Sequence, residues 1–105
     1  MFEILKNMFG KKDENALAEI INDSAFLVDV RSSMEFASEK VKGSINIPVD
    51  QIQNHLAKFK GKNNIVVFCR SGARSSQAKA ILERNGITNV TNGGTWHNVA
   101  ALLTK

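Results

Sequence analysis

Ile65-Val66-Val67-Phe68-Cys69-Arg70-Ser71-Gly72-Ala73-Arg74 is the stretch that decides the fold. Its first four residues are β-branched or aromatic with no polar break. That is the pattern of a central parallel strand covered on both faces. Downstream, SSQAKAILERNG (75–86) reads as a helix. Ser75 or Ser76 starts it, Ala78, Ile81 and Leu82 form its apolar face, and Gly86 stops it.

Working outward, strands and helices alternate. Leu17, Ile20 and Ile21 share one helix face within 14–22. FLVDV (26–30) is a short buried strand with a polar residue near its end. In SSMEF, Ser32 or Ser33 can cap a short helix with Glu35 in its first turn. SINIP (44–48) is a strand closed by Pro48, and Asp50 is placed to cap a helix carrying Ile52, Leu56 and Phe59. TNVT (88–91) is a last short strand, Gly93-Gly94-Thr95 a turn, and WHNVAALL (96–103) a terminal helix. This alternation predicts an α/β domain with a mainly parallel sheet. In such sheets ligands sit beyond the carboxyl ends of the strands, where Asp29 and Cys69 both fall.

The chain's 105 residues fit one domain, with 43% hydrophobic and 23% charged residues, so wholesale disorder is excluded. No apolar run approaches the roughly 20 residues that span a bilayer. MFEILKNMFGKK lacks the features of a secretion signal, so a cytoplasmic protein is expected. Residues 1–13 read as an N-terminal extension, with Phe2, Leu5, Met8 and Phe9 as a short apolar stripe that packs onto a domain spanning 14–105. A single cysteine excludes a disulfide framework and any CxxC pair, and neither histidine has metal-ligand spacing with it.

Charge is uneven. Residues 1–50 carry 6 basic and 9 acidic side chains, whereas residues 51–105 carry 8 basic and only Glu83 as an acid. The cysteine lies in the basic half, whose field favours small anions. Lys58, Lys60 and Lys62 read as solvated lysines. With no Tyr and no aromatics interleaved among the basic residues, nucleic-acid binding is not indicated.

Chemistry concentrates in 69–74. A thiolate at Cys69 would meet the free N–H groups of the following helix, loop amides that Gly72 allows to curl inward, and the charges of Arg70 and Arg74. Such surroundings depress a thiol's pKa, and the thiolate is the nucleophile. An open cup of donors of this kind would also hold an oxyanion against the sulfur. An inert buried cysteine is the ordinary fate of a lone thiol. Packing alone, however, does not call for two guanidinium groups beside one.

LVDVRSSMEF, GSINIP, IVVFCRSGARS and a later NGG with Trp96 together resemble the rhodanese-homology domain, the single-domain thiosulfate sulfurtransferases, over roughly residues 14–103. The resemblance implies a three-layer α/β/α domain with a central, mainly parallel five-stranded sheet. It implies Cys69 as the nucleophile that becomes a persulfide, with Arg70, Ser71, Gly72, Ala73 and Arg74 cradling sulfur and substrate anion. Arg74, and secondarily Arg70, would offset the anion's charge. Asp29, Arg31, Glu35 and Ser75 would support the site, with Asp29 and Arg31 pairing with each other or with Glu35. No cofactor or metal is implied. The donor would be a small anionic sulfur compound such as thiosulfate, and the acceptor an external thiol such as glutathione or thioredoxin. The chain departs from the family at Glu39-Lys40-Val41, where Gly-His-Ile is frequent.

Two other classes compete. Cysteine phosphatases and arsenate reductases use a loop one residue longer between Cys and Arg than the four residues here, and phosphatases need a general acid, yet no Asp follows Cys69. The other is a non-catalytic sulfur carrier or regulatory module. His55 reads as a solvated or capping residue, and His97 as a residue near a helix start.

Overall fold

The computed structural model describes residues 16–103. The N-terminal extension and its apolar stripe lie outside the described residues. Helix α1 covers 16–21. It is followed by β1 (Phe26–Asp29), α2 (Ser33–Ser38), β2 (Ile45–Asn46), a 3-10 segment (Val49–Phe59), β3 (Ile65–Cys69), α3 (Ala73–Arg84), β4 (Val90–Thr95) and α4 (Trp96–Leu102).

The strands are all parallel, in the order β2-β1-β3-β4. The expected five-stranded sheet is therefore corrected to four strands among the described residues. β3 is buried at every position. Strand alternation splits its side chains between two layers. Ile65, Val67 and Cys69 pack with Ile52, Phe59, Ala78 and Leu82 from the 3-10 segment and α3. Val66 and Phe68 pack on the other face with Ile21, Val41 and Val99. This two-sided burial explains the unbroken apolar run in the sequence and gives the three-layer α/β/α arrangement.

Beyond β1 the chain moves outward to β2, and beyond β3 it moves the other way to β4. The carboxyl ends of β1 and β3, paired through Asp29 and Phe68, thus form the point where strand order reverses.

Three local expectations are revised. Asp50 does not cap: the 3-10 segment follows Pro48, whose position has no side-chain cap, and its backbone breaks at His55. Helix α3 starts at Ala73, two residues before the first expected cap, because Gly72 takes a left-handed conformation (φ +95°) as the cap residue. Gly93-Gly94 is part of β4, not a turn. At this point the register slips, so that Val67 pairs with Asn92 and Phe68 with Gly94. Gly93 is the extra residue, and a Cβ on it would lie 2.9 Å from both Val66 Cγ1 and Val99 Cγ2. Only hydrogen fits where the sheet and α4 close on each other.

Candidate active site

Because Cys69 ends β3 on the same face as Val67, its sulfur points beneath the start of α3. The Gly72 N–H donates to Sγ at 3.0 Å and the Ser75 N–H at 3.4 Å. The Ser75 hydroxyl lies 3.5 Å from the sulfur. Burial pushes the Cys69 thiol up, but the Ser75 hydroxyl and the amides of Ser75, Ser71 and Gly72 outweigh it and hold the thiol below its usual value. The loop is therefore built to stabilise negative charge on sulfur.

Cys69 itself has no exposed surface. The expectation of a thiol open to solvent is corrected. Arg70 and Ser71 are exposed, Gly72 is half-buried, and the sulfur lies inside the turn they make. Ala73 opens α3 as an exposed residue.

Arg74 is committed elsewhere. Its guanidinium makes a bidentate pair with Glu35 at 2.7 and 3.2 Å. That hydrogen bonding raises the pKa of Arg74, and the same contact draws the Glu35 carboxyl down from 4.5 to about 2. Glu35 also closes a capping box: it accepts from the Ser32 N–H at 2.9 Å while the Ser32 hydroxyl accepts from the Glu35 N–H. The carboxylate thus fixes the start of α2 and ties it to α3. Arg31 pairs with Asp29, not with Glu35. Its Nη2 lies 2.8 Å from Asp29 Oδ2, and both residues are buried. The Glu39 carbonyl takes a further bond from Arg31, whose guanidinium carbon sits 4.9 Å from the centre of the Trp96 ring. In the Glu39-Lys40-Val41 departure, Val41 fills the core and Lys40 lies over Phe36.

Arg70 is exposed, with no ion pair among the described residues. It lines a cleft of about 330 Å³ with Arg31, Glu35, Glu39, Trp96 and His97, beyond the carboxyl ends of the strands. Arg74 is neutralised by a partner, while Arg70 remains a free cation at the rim.

Asn92 was missed in the sequence. Its Oδ1 lies 2.7 Å from the Ser75 Oγ and accepts from the Gly94 N–H at 2.9 Å. A polar residue before a double glycine was the available signal, but it reads equally as a turn.

A cysteine-bearing loop between a central parallel strand and a helix begun by a left-handed Gly72 defines the class: an α/β domain whose cysteine sulfur accepts backbone N–H donors at the point of strand reversal. The particular family follows from comparison. The family model described as the rhodanese-like domain matches residues 12–95, and the chain belongs to that family. It is 36% identical over 96 residues to the thiosulfate sulfurtransferase PspE of Escherichia coli, covering 86% of this chain and 92% of that protein. A solved structure, rhodanese with anions from E. coli, superposes with a TM-score of 0.66 at 34% identity, covering 73% of this chain and 93% of that one. The human single-domain sulfurtransferase TSTD1 superposes with a TM-score of 0.63 at 31% identity, covering 77% and 83%. These relatives support a sulfurtransferase role.

Proposed function

We propose that this chain moves a sulfane sulfur from thiosulfate, or a similar small anionic donor, to a thiol or to cyanide through a persulfide on Cys69. The observation that carries the proposal is the set of donors converging on one sulfur: the Gly72 and Ser75 amides at 3.0 and 3.4 Å, beneath the amino end of α3. The Cys69 thiolate attacks the outer sulfur of thiosulfate, the S–S bond breaks, and sulfite leaves with the bonding electrons. The terminal sulfur of the new persulfide carries the charge that the loop amides of residues 70–74 are positioned to stabilise. Arg70, as the free cation at the rim, draws the donor in. Arg74 and Glu35 hold the loop's shape, as do Asp29 and Arg31 from the neighbouring strand. Ser75 supports the sulfur directly.

With one cysteine in the chain, no second thiol here can resolve the persulfide, so the acceptor is external, such as glutathione or thioredoxin.

Mass spectrometry of the folded protein after thiosulfate treatment tests this. We expect a gain of about 32 Da, one sulfur atom, localised to Cys69. A folded sample that gains no such mass would overturn the proposal. Persulfide formation without turnover to cyanide or thiols would favour the carrier reading.

A further inference from the structure

We infer that Asn92 is a positioning residue that governs the Ser75 hydroxyl and, through it, the ionisation of Cys69. The inference presupposes Cys69 as the reactive sulfur, but it is tested on the thiol itself and not on sulfur transfer.

The orientation of the Asn92 amide is fixed by its neighbours. The Gly94 N–H can only donate, so the atom 2.9 Å from it is the carbonyl oxygen Oδ1. The Nδ2 group then faces the Gly72 carbonyl at 3.5 Å. Ser75 Oγ has a single hydrogen and lies 2.7 Å from Asn92 Oδ1, nearer than the 3.1 Å to the Gly72 carbonyl. An amide oxygen cannot donate, so the hydroxyl hydrogen points at Asn92. Ser75 therefore turns a lone pair toward Cys69, which can donate its S–H across 3.5 Å. This arrangement suits the thiol. When the S–H proton leaves to water, the Ser75 hydrogen must leave Asn92 and turn to the sulfur. Asn92 Oδ1 keeps the Gly94 N–H. The competition between the amide oxygen and the sulfur for one hydrogen sets part of the cost of making the thiolate.

Strand β4 is shaped for this. The extra residue Gly93 and the positive φ of Gly94 (+81°) let the backbone curl so that the Gly94 N–H meets the Asn92 side chain two residues back. The bulge thereby aims Asn92 at the loop. The charged groups on the surrounding elements are Arg70 and Arg74 from the loop and α3, Glu35 from α2, Asp29 and Arg31 at the end of β1, and His97 from α4. None of them bonds to the Ser75 hydroxyl or to Asn92.

The chain has one cysteine and no tyrosine, so the ultraviolet absorbance of thiolate over pH reports Cys69 without interference. Asn92→Ala leaves the hydroxyl hydrogen to the Gly72 carbonyl or the sulfur, and the charged thiolate is the stronger acceptor, so the midpoint should fall by about one unit, the worth of one hydrogen bond to a charged group. Asn92→Asp holds the hydrogen more strongly and adds negative charge, so its midpoint should rise by about as much. In a Ser75→Ala background the effect of Asn92→Ala should vanish. An unchanged or raised midpoint in Asn92→Ala, or a fall that persists without Ser75, would refute the role. Should Asn92→Ala not fold, Asn92→Asp decides alone, an unmoved midpoint counting against. Persulfide labelling of the unaltered protein reads the proposed function separately.

Discussion

Two carboxylate–guanidinium pairs stand near the carboxyl ends of the strands, and they are built for different work. Asp29 and Arg31 sit at the end of β1 with side chains 0% and 4% exposed, whereas Glu35 and Arg74 join α2 to α3 with 28% and 35% exposed. The inner pair is dry, and each partner is satisfied several times over: Asp29 also accepts the Arg31 N–H, and Asn46 bonds both the Asp29 and Arg31 carbonyls. The outer pair is screened by water and contributes little to global stability. Its value lies in shape, because it ties α2 to the first turn of α3, the turn from which the Ser75 amide reaches the sulfur. Burial, more than the number of charges, separates a pair that holds the fold from one that sets a loop.

Substitutions at each pair can break this contrast. Asp29→Ala leaves the Arg31 guanidinium buried and unpaired, so unfolding in urea should show a loss of about 3–5 kcal/mol. A loss near that of an exposed pair would show the inner site to be wet.

Arg74→Ala should act on chemistry more than on folding. Removing the guanidinium takes away a charge that interacts with Cys69 and loosens the start of α3. Persulfide formation from thiosulfate, followed by mass spectrometry, should slow about tenfold, equivalent to ~1.4 kcal/mol, with little change in melting temperature.

Glu35→Ala loses the outer pair and one half of the capping box. A loss of about 1 kcal/mol is expected in urea unfolding, smaller than that of Asp29→Ala. Raising the salt concentration should erode the outer pair's share and leave the inner pair's untouched.

Acid sharpens the contrast further. The Glu35 carboxyl is drawn from 4.5 to about 2, so the folded state binds its proton less readily than the unfolded chain. The stability this supplies is complete above pH 4.5 and is lost as pH falls toward about 2. Glu35→Gln should therefore flatten the slope of stability against pH in that window. An equally steep slope in the variant would place the acid sensitivity elsewhere.

Several features were legible in the residue order. The run 65–68 announced a strand buried on both faces. Leu17, Ile20 and Ile21 announced a helix face, and Ser32 with Glu35 three residues on announced a cap. Cys69 at a strand end followed by Arg70, Gly72 and Arg74 marked the candidate site. These are local signals: apolar period, cap spacing and turn residues act within a few positions along the chain.

The rest was decided at a distance. Arg74 could have faced solvent, substrate or a carboxylate, and its partner Glu35 lies 39 residues away. Choosing among such partners needs the relative placement of α2 and α3, which no local pattern carries. Ser75 read as a helix cap, but a left-handed Gly72 begins α3 earlier and drops Ser75 against the sulfur. Gly93-Gly94 read as a turn, but one slipped residue in β4 keeps them in the sheet and swings Asn92 onto Ser75. The thiol's enclosure also belongs to the fold, since the core around β3 and the start of α3 together remove it from water. Sequence by itself determined the central strand, the helix that follows it and the place of the lone cysteine between them, because these follow from neighbours in the chain. Tertiary structure alone decided which charges meet, which hydroxyl hydrogen turns where, and how far the sulfur lies from solvent, because those depend on surfaces that meet only after folding.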